Sequence, residues 1–308
     1  MKPRDVPDPS DEDRSLGIEP EPTVAGRIAR WAERGRILRA RTEAARSRHA
    51  SVDLAFVLVE RDSGIGGGLL AGALAYRLFV LLLPTALLFV SGLGLYAGTV
   101  DESPAKVAAK AGLHGLVASQ VAATASSRAR WIVFILMVPA VLYALAKLYR
   151  ALAIVHALVW QGSGRGTRVI PSGVGLLGAA LATSIFAAEI VGWLRRQDSF
   201  GGLVAVLVYI LLMGGAWLLV SMQLPHRDVR WPALLPGALL FGVGVLFVNV
   251  FNVYVTTRLV EDRANTYGAL GIATALLFSL VLVGRVMLVS AELNATIDER
   301  HNRQRAGP

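Results

Sequence analysis

The chain has 308 residues, 54% of them hydrophobic and 17% charged, with a net charge of +9 and no cysteine. Soluble domains average about 45–50% apolar and about 25% charged, so this composition excludes an ordinary water-soluble shell and points to a bilayer. The missing cysteines exclude disulfides and thiol chemistry.

Residues 1–22 hold five of the 13 prolines and six Asp or Glu before residue 20, with hardly an apolar side chain. They predict a disordered acidic tail. No apolar run follows the start, so a cleavable signal peptide is not expected. Residues 23–62 form a basic segment. In its 24–48 part Val24, Ile28, Trp31 and Leu38 fall near one helical face among Arg27, Arg30, Arg34, Arg36, Arg39, Arg41, Arg46 and Arg48. That pattern predicts an amphipathic helix lying on anionic lipid headgroups. A solvated charged helix is the alternative, because the apolar face is thin. "LAFVLV" (54–59) is a candidate second interfacial helix.

Six apolar runs follow in the domain 63–298. The clearest are 201–224, with 24 uncharged residues, and 231–257, with 27. Both exceed the roughly 20 residues that cross a bilayer. The others are 69–98 with Arg77, 131–150 with Lys147 and Arg150, 169–194 with Glu189, and 268–295 with Arg285 and Glu292. The expected fold is therefore an all-α integral membrane protein of six transmembrane helices, with an N-terminal interfacial helix and an amphipathic outer-loop helix. An even number of spans puts both termini on one side, and the arginines of 24–48 and of the 299–308 tail make that side cytoplasmic. Gly72, Gly173, Gly175, Gly178, Gly242, Gly244 and Gly271 are small residues that let helices approach.

Loop 99–130 is the largest extramembrane stretch between spans. Its Ser-Pro start and the spacing of Val107, Leu113, Leu116, Val117 and Val121 predict the outer helix. His114 and two lysines make no nucleophile, base and orienter set, so catalysis is not expected. The histidines at 49, 114, 156, 226 and 301 sit at no ligand spacing, which argues against a metal. Neither "GIGGG" (64–68) nor "GSGRG" (162–166) follows a strand, and the first lacks the Gly-Lys-Ser/Thr ending of a phosphate loop. The first reads as a flexible lead-in to span one and the second as a cytoplasmic turn; no cofactor is implied. The basic charge flanks spans, so positive-inside topology explains it better than nucleic acid does.

An ionisable residue inside a span is costly and tends to face a partner or a wet cavity. Arg77, Lys147, Arg150, Arg285 and Glu292 all fall in the expected cytoplasmic half, with Glu189 near the outer end of span three. Asn249, Asn252 and Asn294 add polar company. The candidate substrate-binding set is Arg77, Lys147, Arg285, Glu292, Asn249 and Asn252. Snorkelling to the headgroups is the bland alternative for Arg77 and Lys147. Arg285 and Glu292 stand seven residues apart on one face, about 10 Å along the axis. Each is expected to find its partner elsewhere, an acidic or polar neighbour for Arg285 and Arg77 or Lys147 for Glu292. Two readings remain. Convergence of Arg77, Lys147 and Arg285 on one cleft would mark a transporter for an anionic or lipid-linked group. Dispersed charges that pair helix to helix would mark a membrane scaffold or partner-binding protein.

The strings "AGALAYRLFVLLLP" (71–84), "LPHRDVRWPALLPGALL" (224–240) and "YGALGIATALLFSLVLVGRVMLVSAELNA" (267–295) resemble the YihY/BrkB family of bacterial inner-membrane proteins over roughly residues 50–298. The resemblance implies six spans, cytoplasmic termini and location in the inner membrane. Tyr76, Pro84, Pro225, Gly268 and Glu292 are the positions it matches. The family once carried a ribonuclease BN label; one branch is named for serum resistance and another is linked to export of lipid precursors. This chain departs from the pattern at Arg77, at "ALA" (151–153) and at Ser290.

Overall fold

The structure, a computed structural model, describes residues 50–99, 130–161, 169–195, 199–226, 229–252 and 269–306. The expected acidic tail, the basic helix in 24–48, the outer-loop helix, the 162–166 turn and Gly268 fall outside the described residues. The chain divides into two units, and the described residues from 58 onward belong to the larger. All packing below is within the larger one.

The described residues form seven α-helices and no strand. They are α1 (Ala50–Ile65), α2 (Gly67–Thr99), α3 (Arg130–Gln161), α4 (Pro171–Arg195), α5 (Ser199–Gln223), α6 (Leu235–Phe251) and α7 (Ala269–Ala306). A 3₁₀ turn, Trp231–Leu234, leads into α6. Five stretches, Gly67–Ala97, Trp131–Trp160, Gly202–Gln223, Trp231–Phe251 and Thr274–Arg305, are long and apolar enough to cross a bilayer. The chain is thus an all-helical, multi-pass membrane protein. The remaining expected span, 169–194, is helical as α4, but most of its side chains beyond Thr183 fall outside the described residues, so five is the number established here by length and apolarity.

Two helices run past the expected spans. α3 continues from Arg150 to Gln161 because Leu148, Leu152, Val155 and Val159 keep recurring at helical spacing, and all four are buried. Arg150 is exposed on another face, so its charge does not end the helix. α7 continues to Ala306, which makes Glu299 a residue of the same helix as Arg285 and Glu292.

α2 packs against α3 and α7, α7 against α6, α6 against α5, and α5 against α4, with smaller contacts from α3 to α4 and α7. The core between them is built on Leu74, Leu148, Tyr149, Leu152, Met213 and Leu288. Large apolar side chains such as Leu83, Ile135, Leu211, Phe247 and Phe278 point outward, as lipid-facing surfaces require. Glycine sets the closest approaches. A Cβ on Gly242 would stand 2.5 Å from the Ile210 carbonyl oxygen, and one on Gly214 would stand 2.9 Å from that of Ala238, so α5 and α6 touch backbone to backbone. Gly284 does the same for α7 against Ala71 of α2, at 2.6 Å. Gly72 and Gly175, expected to serve this way, have nothing within 4 Å of an added Cβ.

The 64–68 string is a tight turn between two helices. Gly66 adopts φ 69°, a left-handed conformation that an L side chain resists. It ends α1 and lets α2 begin one residue later.

Candidate functional site

The turn at Gly66 fixes α1 so that two neighbouring residues, Arg61 and Asp62, each reach α7. Asp62 accepts a forked pair from Arg285, Nη1 to Oδ1 at 2.6 Å and Nη2 to Oδ2 at 3.0 Å. Arg61 forks onto Glu299 at 3.0 and 3.1 Å, and its Nη2 also donates to the Val159 carbonyl of α3 at 2.5 Å. Gly67 belongs to this geometry, since an added Cβ would collide with the Asp62 carboxylate and come within 3.1 Å of Arg285 Nη1. Arg285, Glu292 and Glu299 are spaced by seven, so the three lie on one stripe of α7 spanning about 21 Å at 1.5 Å per residue.

Glu292 occupies the middle of that stripe. It is 0% exposed, and among the described residues no donor reaches either carboxylate oxygen. The charges acting on it are Asp62, Arg285 and Arg61. Both guanidiniums are already committed to other carboxylates. The cluster therefore holds two basic and three acidic residues, and Glu292 is the acidic one left over. Thr296, one turn on, is also buried with its hydroxyl unpartnered.

Forked charge-assisted hydrogen bonds contribute about 1.5–3 kcal/mol each when shielded. The Arg285 side chain is 40% exposed and that of Asp62 17%, which discounts the pair. A double-mutant cycle of Asp62→Asn and Arg285→Gln, read by melting in detergent, should give a coupling of about 1–2 kcal/mol. Strict additivity would show that the two do not interact.

The six candidate residues do not share a cleft. Arg77 is exposed on α2, its guanidinium carbon 5.8 Å from the ring centroid of the equally outward Tyr76. Lys147 lies over the exposed ring of Tyr143, with Nζ 5.0 Å from the centroid. Asn249 reaches the Tyr209 hydroxyl at 3.5 Å, and Asn252 accepts from Ser279 at 2.6 Å. Only Arg285 and Glu292 belong together. Arg285 has the acidic partner expected of it, whereas Glu292 is hydrogen-bonded to neither Arg77 nor Lys147. The side chain of Glu189 is outside the described residues.

Two contributions went unseen in the sequence. Arg61, Asp62 and Glu299 belong to segments whose composition predicts an interfacial helix or a tail; the seven-residue spacing of 285, 292 and 299 is the available signal. Asn294, noted only as polar company, is buried. Its side-chain oxygen accepts from the Gly237 N–H at 2.7 Å and its amide donates to the Leu234 carbonyl at 3.2 Å. It thus satisfies one of the orphan donors at the start of α6. The strings "LLPGALL" and "SAELNA" meet at this contact. Pro84 lies inside α2, and Pro225 in the short link after α5. The described histidines 156, 226 and 301 each hold Nδ1 near a backbone carbonyl, and among the described residues no His, Asp and Glu group could hold a metal ion.

The family model for virulence factor BrkB matches residues 60–308. No curated protein and no solved structure matches the chain.

Proposed function

The chain belongs to the virulence factor BrkB family, and from that premise we propose that it is a non-enzymatic transporter of an anionic or lipid-linked group, with Glu292 as the residue that takes up and releases a coupling ion. In this reading α4 is a sixth span, both termini face the cytoplasm across the inner membrane, and the basic 24–48 segment lies on anionic headgroups. The arginines flanking the first and last spans support that orientation.

One observation carries the proposal. A fully buried carboxylate without a hydrogen-bond donor is expensive inside an apolar helix, and such residues mark ion or substrate pathways in membrane proteins. A network serving only to fix helix register would pair Glu292, as it pairs the residues seven before and seven after it. The scaffold reading has its own support. Arg77 and Lys147 face different neighbours, and Arg61 and Arg285 tie helices to one another.

Complementation separates the two. In a strain lacking the chain, Glu292→Gln should accumulate in the membrane at the parental level yet leave the lipid profile of the deletion unrestored. Full restoration of that profile by Glu292→Gln, or a deletion strain with unaltered lipids, would sink the transport reading.

A further inference from the structure

Where the 3₁₀ turn Trp231–Leu234 meets the last turns of α7, a groove of about 580 Å³ opens. Arg230, His301, Asn302 and Arg305 line it, with Asp298 as its single carboxylate. The rest of the wall is apolar, contributed by Val229, the turn, Pro236 of α6 and Ile297. The groove lies more than one helical turn beyond Glu292 on α7, and none of the ion pairs described above involves its residues.

The polar groups are committed unequally. Asp298 accepts from the Asn302 amide at 3.1 Å, and His301 sets Nδ1 3.3 Å from the Ile297 carbonyl, which leaves Nε2 for another partner. Among the described residues neither Arg230 nor Arg305 is in an ion pair, and both are exposed. Two uncommitted guanidiniums against one engaged carboxylate leave the groove with a net positive charge. Forked N–H donors suit a tetrahedral oxyanion, and an apolar wall beside them suits what such an anion is attached to. Trp231, 55% exposed next to Arg230, is the amphipathic aromatic expected where protein meets headgroups.

We propose that this groove binds a phosphate group, either free or at the head of a lipid, through Arg230 and Arg305 with His301 as a third contact. The site rests on the groove alone and requires nothing to cross the membrane.

The full chain in neutral detergent micelles tests it. Inorganic phosphate in one series, and micelles doped with dioleoyl phosphatidic acid in another, are titrated while melting is followed; sodium chloride at matched ionic strength is the reference. A melting rise with inorganic phosphate identifies free phosphate as sufficient, and a rise confined to the phosphatidic acid series identifies the headgroup. In either case Arg230→Gln and Arg305→Gln should each weaken binding by about tenfold, the worth of a lost charge-assisted hydrogen bond. Arg303→Gln, in the same last turn but outside the groove, should bind as the parent does. Both groove arginines are exposed and unpaired, so their variants are expected to fold; melting without phosphate checks this, and Arg230→Lys, which keeps the charge but loses the fork, should bind between parent and Arg230→Gln. The proposal is overturned if neither probe exceeds the chloride reference, if the groove variants bind like the parent, or if Arg303→Gln weakens binding as much as they do.

Discussion

Gly242→Leu should remove the folded protein from the membrane fraction, whereas Gly72→Leu should leave it there at the parental level. A Cβ at 242 would come within 2.5 Å of the Ile210 carbonyl oxygen and 3.2 Å of the Gly214 backbone nitrogen. These are main-chain atoms of a helix and cannot rotate aside, so α6 would have to back away from α5. That movement also breaks the reciprocal approach of Gly214 to Ala238, at 2.9 Å for an added Cβ. Overpacking costs about 1–3 kcal/mol for modest enlargements and more when a backbone contact is forced apart. A branched side chain here should cost at least about 4 kcal/mol, a large part of a typical stability of about 5–15 kcal/mol. At position 72 an added Cβ meets nothing within 4 Å, and a leucine is better by up to about 1 kcal/mol than glycine in a helix interior. Membrane abundance and melting in detergent read the difference. Equal levels for both variants would mean that α5 and α6 are not in backbone contact.

The contrast between those two glycines shows what a sequence of this kind reveals. Apolar runs announce spans because the bilayer fixes their length, and the described part of every run expected to cross is helical but for a residue or two at its ends. Which face of a span meets a neighbour is another matter. Helices apolar all round carry no amphipathic signal, so nothing local distinguished Gly242, at a backbone contact, from Gly72, beside open space. The ends of α3 and α7 were hidden for a related reason. Charges at Arg150 and Glu299 mark a polar boundary, but a helix can pass through it while its buried face continues. The partners of Arg285 and Asn294 were out of reach altogether. Asp62 is 223 positions from Arg285, and Gly237 is 57 from Asn294, so only the packing of whole helices brings them together. What the sequence did expose was the shared face of Arg285 and Glu292, and with it the requirement that each look beyond its own helix.

Neutralising Glu292 and neutralising Arg285 should move stability in opposite directions, although both lie on that face. Arg285→Gln strands Asp62, whose side chain is only 17% exposed, and with Arg285 itself 40% exposed the loss of the pair should cost about 1–2 kcal/mol. Glu292→Met keeps most of the volume and removes a buried carboxylate that no described donor satisfies. The attraction of the two nearby arginines does not reverse this, because each is already forked onto its own carboxylate and Asp62 adds repulsion. Replacing buried ionic groups by apolar ones of similar size is neutral or stabilises by about 1–4 kcal/mol. Melting in detergent should therefore fall for Arg285→Gln and hold or rise for Glu292→Met, while only a functional assay registers the loss of the carboxylate. That outcome would mean that Glu292 does not serve the stability of its helix, and it would support the proposed role in transport. If Glu292→Met instead melts as low as Arg285→Gln, the carboxylate is a working member of the ion-pair network, and α1 and α7 are held together by three acidic residues rather than two.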